Sequence, residues 1–367
     1  MRKDKRIVLT LDAGGTNFRF SAIQSGNSIA NPIHLPSKAN TLEEILNKIV
    51  AGFQSLIDQL KQAPSAISFA FPGPADYEQG IIGDLENLPL FKGGIALGPF
   101  LQNHFKVPVY INNDGDLFAL GEAIGGILPQ INLALEKAGN PKKYRNLLGL
   151  TLGTGFGAGI VSNGKLFTGD NSAQAEINRM RNYLFPETSI EDSVSIRAVK
   201  RVYSEASNTD LKHCPNPFEI YKIAKNEAKG NRKAALKAFE HLGIAVANAA
   251  ADANTLIDGI IVIGGGLSGA ADLFMPTLVK EMNRPFHTLN GDSLDRMEVS
   301  AYNLNDETEK EAFLKANTAQ IKIPYSDKTI TYDKTKKTGI ATSVLDTSIA
   351  VALGAYAFAL QKLDQKA

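Results

Sequence analysis

Two stretches, one opening each half of the chain, share a plan: Leu9-Thr10-Leu11-Asp12-Ala13-Gly14-Gly15-Thr16-Asn17 and Leu150-Thr151-Leu152-Gly153-Thr154-Gly155-Phe156-Gly157. Each runs from a β-prone segment through glycine and threonine into a second β-prone segment, Phe18 to Ile23 or Ala158 to Val161. Each then meets a tight-turn sequence, Gln24-Ser25-Gly26-Asn27 or Ser162-Asn163-Gly164. Glycine and asparagine accept positive φ at low cost there, which suits a hairpin reversal. The repeat predicts two similar halves, each opening on a glycine-turn hairpin. Glycine lets backbone N–H groups approach an oxyanion closely, so the expected ligand is a polyphosphate held from both sides. The copies differ at one position above all: Asp12 in the first is Gly153 in the second. One hairpin therefore brings a carboxylate suited to Mg²⁺ through water, the other only backbone and hydroxyl donors. That asymmetry reads as a nucleotide site.

The 367 residues allow two domains, and the 44% hydrophobic share supplies a sizeable core. A formal charge of +1 gives no reason to expect nucleic acid or an anionic membrane as partner. Cys214 is the only cysteine, which excludes an intrachain disulfide and a multi-cysteine zinc site and suits a reducing compartment. Met1 to Arg6 is basic, but the apolar run after it ends at Asp12, a poor signal peptide. No stretch approaches the roughly 18 uninterrupted apolar residues of a membrane span. A soluble, cytoplasmic protein is expected.

Leu42, Ile45, Ile49, Phe53 and Leu56 recur at helical spacing, predicting an amphipathic helix over Thr41 to Lys61 capped by Thr41. Ala66 to Phe71 and Val107 to Ile111 read as strands, Pro99 to Phe105 and Phe118 to Ile124 as helices. The second half adds a helix over Ala234 to Ile257, a buried-type strand Ile260 to Ile263 and a helix over Ala270 to Met282. Arg284 to Leu345 reads as β-like pieces (Glu298 to Tyr302, Gln320 to Tyr325, Thr329 to Tyr332) joined by charged turns, and Ser348 to Leu363 as a closing Ala-rich helix. Strands alternating with helices place the chain among α/β folds with mixed sheets.

Gly153-Thr154-Gly155-Phe156-Gly157-Ala158 fits the relaxed dinucleotide fingerprint, but that fingerprint needs a following helix, and here a strand and turn follow. Gly264-Gly265-Gly266 between strand and helix can let an adenosine lie against bare backbone, or can be a plain tight turn. Asn113-Asp114-Gly115-Asp116 enters a helix from a strand end. One of its acids can take a proton from a substrate hydroxyl while the other caps the helix. Glu176 and Arg179 form either a surface ion pair or part of a site. Glu86-Asn87-Leu88-Pro89 reads as a loop, and the five histidines show no ligand spacing.

In their order these motifs resemble the ROK group of sugar kinases, within the superfamily of actin, hexokinases and heat-shock chaperone ATPases. The similar parts are Leu11 to Asn17, Phe71-Pro72-Gly73-Pro74, Asn87-Leu88-Pro89, Asn113-Asp114, Gly121-Glu122, Thr151 to Gly159, Glu176 and Gly264 to Leu267. The resemblance implies two ribonuclease H-like (actin-like ATPase) domains around an interdomain cleft. The sugar-side domain would be 1–125, joined by the C-terminal helix 346–367. The nucleotide-side domain would be 126–345, with a β-rich insertion at about 284–345. It implies transfer of the ATP γ-phosphoryl group to a hexose hydroxyl, usually at carbon six, with glucose or an N-acetylhexosamine as acceptor. Asp114 would be the general base, with Gly73, Asn87, Asn113, Glu176 and Arg179 on the sugar. Asp12, Gly14, Gly15, Thr16, Asn17, Gly153, Thr154 and Gly155 would surround phosphate and Mg²⁺, and Gly264, Gly265 and Gly266 would face the adenosine. A homodimer is the family's expectation.

The chain departs from the family twice. Where many members carry Glu-x-Gly-His followed by a Cys-rich zinc motif, this sequence has Glu176, Ile177, Asn178 and Arg179 with no cysteines after them, so no zinc site is expected. The segment 284–345 is also longer than usual. The competing readings are a sugar-binding sensor or regulator without catalysis, a sugar-responsive repressor, and an actin- or chaperone-like ATPase. A repressor needs a helix-turn-helix ahead of the first hairpin, and near-neutral charge argues against DNA binding.

Overall fold

The computed structural model describes residues 3–13, 17–73, 75–83 and 89–366. The expectations for Gly14, Gly15, Thr16 and Asn87 fall outside the described residues. Strands β1 (Val8–Ala13) and β2 (Asn17–Gln24) pair antiparallel from Val8↔Ile23 to Ala13↔Phe18, and β3 (Asn27–Ser28) and β4 (Ile33–Pro36) both pair with β2. Helix α1 (Leu42–Gln59) starts where Glu44 N–H donates to the Thr41 hydroxyl, the expected cap. It buries Ile45, Ile49, Phe53 and Leu56 and leads to β5 (Ala66–Ala70), parallel to β1. All five residues of β5 are buried, as a central parallel strand requires. A small hairpin, β6 (Ala75–Asp76) and β7 (Ile81–Ile82), and helix α2 (Leu97–Phe105) precede β8 (Val109–Asn112), parallel to β5.

Helices α3 (Asp114–Ile124) and α4 (Ile127–Lys137) follow. By composition the run Asp114–Lys137 is apolar enough to cross a membrane. It is nevertheless two helices of 11 residues each. At 1.5 Å per residue each spans about 16 Å, half of a bilayer's hydrocarbon core.

The second half opens on β9 (Leu147–Leu152), β10 (Phe156–Ser162) and β11 (Lys165–Leu166). Helices α5 (Ile196–Ser207), α6 (Pro217–Ala224) and α7 (Arg232–Ile257) lead to β12 (Ile260–Gly264), parallel to β9, and then to α8 (Ala271–Met282). There follow β13 (Phe286–His287), β14 (Ser293–Leu294), β15 (Ser300–Asn303), α9 (Glu307–Leu314), β16 (Thr318–Lys322), β17 (Thr329–Asp333), β18 (Lys337–Thr342) and α10 (Thr347–Lys366).

The half-chain repeat is visible in the topology. One sheet has the order β3-β2-β1-β5-β8, the other β11-β10-β9-β12-β18-β15. In each, the first strand of the hairpin lies beside a parallel strand reached through helices, and a second parallel strand extends the sheet. The segment 284–345 is only partly an addition. Strands β15 and β18 run parallel within the main sheet, while β13–β14 and β16–β17 form separate hairpins. Helix α9 lies where the sequence suggested only a charged turn between β-like pieces: Asp306 caps it, accepting from Glu309 N–H at 2.9 Å.

The chain forms two compact units, Met1–Gly126 with Ala158–Ala175 and Val344–Ala367, and Ile127–Gly157 with Glu176–Ser343. In the first, Phe20, Phe53, Phe69, Phe71 and Phe91 are buried in one core, with ring centroids 5.1 Å apart for Phe20–Phe53 and Phe71–Phe91. Helix α10 belongs to this unit; Leu353, Tyr356, Ala359 and Leu360 pack with Val8, Ile23 and Ala66.

Candidate active site

In the first unit the parallel strands β1, β5 and β8 end together. Asp12 aligns with Ala70, and Ala70 with Asn112, so the residues just beyond those positions gather at one sheet edge. Carboxyl ends of parallel strands are where α/β sheets hold their ligands. Asp12, half-buried, is on β1; Gly73 lies just past β5; Asn113 and Asp114 follow β8 directly; exposed Asn17 opens β2. Here Asn113, not either aspartate, caps helix α3: its Oδ1 accepts from Gly115 N–H at 2.8 Å. The amide is short enough to fold back onto the first turn, which frees both acids from that duty.

The two acids then separate. Asp116 is 1% exposed and accepts a hydrogen bond from Gln174 Nε2 at 2.5 Å. Asp114 is exposed, with Gly115 N–H donating to its Oδ1 at 2.9 Å. Although open to solvent, Asp114 is crowded by protein, and lost hydration pushes its carboxyl pKa above the ordinary 3.8, with the Asp12 charge adding in the same direction. The first turn of α3 is also fixed by close approach: a Cβ at Gly115 would stand 2.6 Å from the Ala158 carbonyl oxygen, and one at Gly159 would stand 2.7 Å from Asp116 Cα.

In the second unit Gly153, Thr154 and Gly155 turn between β9 and β10. Gly153 N–H donates to the Gly155 carbonyl at 3.0 Å, and Ile196 N–H donates to the Gly153 carbonyl at 2.9 Å. Thr154 is exposed at the tip. Glu191, which sequence reasoning missed, lies beneath: Phe156 N–H donates to its Oε2 at 3.1 Å, and a Cβ at Gly155 would meet that oxygen at 2.7 Å. Gly264 aligns with Thr151, so the second glycine loop begins beside the first. Gly265, at φ +84°, lies against Leu152, and Gly266 faces open space.

Glu176 and Arg179 bracket a single 3₁₀ turn in the second unit, with Arg179 N–H donating to the Glu176 carbonyl at 2.9 Å. Both are exposed, and they form no ion pair with each other among the described residues. Their charged heads are available to a ligand. Among the described residues no three His, Cys, Asp or Glu side chains gather as a metal cage. A lone carboxylate such as Asp12 fits a Mg²⁺ that takes its other ligands from water and phosphate. A cavity of about 730 Å³ in the first unit is lined by Asp76, Tyr77, Asn112, Gln174 and Lys362 among others; no described residue expected in the site is among them.

The ROK family model matches residues 8–299. A glucokinase of Halalkalibacterium halodurans is 27% identical over 309 residues, covering 77% of this chain and 85% of that protein. An N-acetyl-D-glucosamine kinase of Vibrio cholerae is 29% identical over 170 residues, 46% of this chain and 51% of that one. The crystal structure of a glucokinase from Parabacteroides distasonis matches with a TM-score of 0.90 and 50% identity, covering 98% of this chain and 99% of that chain. With a family match across most of its length and that degree of likeness to a solved relative, the chain belongs to the ROK family.

Proposed function

We propose that the chain transfers the γ-phosphoryl group of Mg-ATP to the 6-hydroxyl of a hexose, glucose or an N-acetylhexosamine, with Asp114 as general base. The coarser statement, a ROK-type hexose kinase, follows from the family match and the 50% identity to a glucokinase. The observation that carries the finer one is Asp114 itself: an exposed carboxylate just past the end of β8, near enough to Asp12 to feel its charge and free of capping duty. It accepts the proton of the attacking hydroxyl as the O–P bond forms, while the ADP oxygen leaves with the electrons of the broken bond.

Gly73, Asn87, Asn113, Glu176 and Arg179 hold the sugar hydroxyls. Asn113 still has its Nδ2 donor, because the cap uses only Oδ1. Thr154 and the amides of Gly153 to Gly155 receive phosphate oxygens, with Gly14, Gly15, Thr16 and Asn17 on the other hairpin. The bare backbone of Gly264 to Gly266 lies along the adenosine. Asp12 would hold Mg²⁺ through water, and the ion would supply charge neutralisation to the phosphates. The first unit serves as the sugar side and the second as the nucleotide side. A cytoplasmic homodimer completes the reading, supported by the family and by the exposed apolar residues Phe286, Leu289 and Leu294.

The test is ADP release from Mg-ATP across glucose, mannose, fructose, allose, N-acetylglucosamine and N-acetylmannosamine. Turnover on one sugar, with phosphate recovered at its carbon six, supports the proposal. Sugar-independent hydrolysis would favour an actin- or chaperone-like ATPase instead.

A further inference from the structure

Asp116 is two residues from the proposed base and is buried, 1% exposed. A buried carboxylate is costly unless it is bonded, and Gln174 Nε2 supplies a bond at 2.5 Å from 58 residues along the chain. Gln174 lies in a loop whose backbone repeatedly takes positive φ: Gly169 at φ +56°, Ser172 at +53° and Ala175 at +57°. Two of these are not glycine, so the loop holds a conformation it would not adopt alone. The Gln174 side chain folds back over Gly169, where an added Cβ would lie 3.1 Å from its Cβ, and its buried Oε1 has no partner among the described residues. A second tie joins Ser172 Oγ to Tyr77 N–H at 3.1 Å, and the Tyr77 hydroxyl donates to the Phe71 carbonyl beside Gly73. The loop is thus anchored beside two of the proposed sugar contacts, Gly73 and Asn113. Its next residue is Glu176.

We propose that the buried Asp116–Gln174 pair is a positioning device: by holding the strained 169–175 loop to the first turn of α3, it sets Glu176 for the sugar. This rests on the reading of Glu176 as a sugar contact. Asp116 and Gln174 touch no substrate and act through the backbone on either side of them.

Gln174→Ala and Glu176→Gln, made singly and together, test it, with Asp116→Asn as the conservative variant that keeps an acceptor oxygen. Gln174→Met replaces Gln174→Ala if the latter fails to fold. Michaelis constants for sugar and for ATP are measured separately, with melting temperature as the folding control. Gln174→Ala should raise the sugar KM by up to about 10²-fold, as a displaced contact does, and leave the ATP KM unchanged. The double variant should be no worse than Glu176→Gln alone, because the pair acts only through that residue. Asp116→Asn should retain most of the sugar affinity. An unchanged sugar KM in Gln174→Ala beside a raised one in Glu176→Gln would overturn the positioning role alone, as would additive effects in the double variant. An unchanged sugar KM in Glu176→Gln would overturn both that role and the reading of Glu176 beneath it.

Discussion

Gly265 lies against Leu152 so closely that a Cβ at Gly265 would stand 2.5 Å from the Leu152 carbonyl oxygen. The end of β12 is thereby pressed onto the end of β9, one residue before Gly153, and the two glycine loops of the second unit become a single surface. Gly265→Ala adds both that clash and the strain of φ +84°. With ψ 172° this backbone is open almost only to glycine and costs roughly 1–3 kcal/mol for another residue, and the overpacking about 1–3 more. Urea denaturation should show a loss in that range, and the folded fraction should have a raised KM for ATP with an unchanged KM for sugar.

Gly159→Ala tests the other close approach. Its Cβ would press on Asp116 Cα and displace the first turn of α3, which carries Asp114. The expected result is a fall in kcat that exceeds any change in the KM for ATP, with stability reduced by about 1–3 kcal/mol. Unaltered kcat would show that the turn tolerates the shift.

Asp114 should reveal itself by pH. Its carboxyl pKa is raised above the ordinary 3.8, first by hydration lost to the crowding protein and then by the Asp12 charge. The base works only ionised, so the acid limb of kcat/KM should fall above that ordinary value. The sign for stability is opposite. The folded state binds this proton more tightly than the unfolded chain does, so the contribution is favourable below pH 3.8 and is lost as pH rises through the folded pKa. Asp114→Asn should therefore melt higher than the parent near pH 7 while turning over poorly, and the difference should vanish as pH falls toward 3.8.

Phe53→Ala separates folding from chemistry. The ring is fully buried, with centroids 5.1 Å from Phe20 and 6.0 Å from both Phe69 and Phe105. Removing it should cost about 3–5 kcal/mol in denaturant unfolding.

The twin hairpins, the capped helix α1 and the long helix α7 were legible in the sequence because each is written locally, in glycine turns, a threonine cap or a run of apolar residues at helical spacing. Strand β15 read only as β-prone and β18 was not among the expected pieces, since nothing local marks a parallel strand whose partners are as distant as Ser300 from Lys337 or Ile261 from Ile340. Helix α9 is short, and only Phe313 among its residues is buried, so it carries almost no periodic signal. At the proposed site, the residue types at Asp12, Asn113 and Asp114 suggested the proposed chemistry. The division of labour did not: that Asn113 caps, Asp116 is buried and Asp114 is exposed depends on the register of β8 and on Gln174 arriving from another segment. Glu191 beneath Phe156 was illegible for the same reason.

The central claim is most directly tested by the turnover of Asp114→Ala on its best sugar, with ATP binding measured on the same preparation. The account predicts that kcat falls by about 10²–10⁴-fold, the usual contribution of a positioned base, while the dissociation constant for ATP is unchanged. Undiminished turnover in a folded variant would contradict it and remove Asp114 from the chemistry.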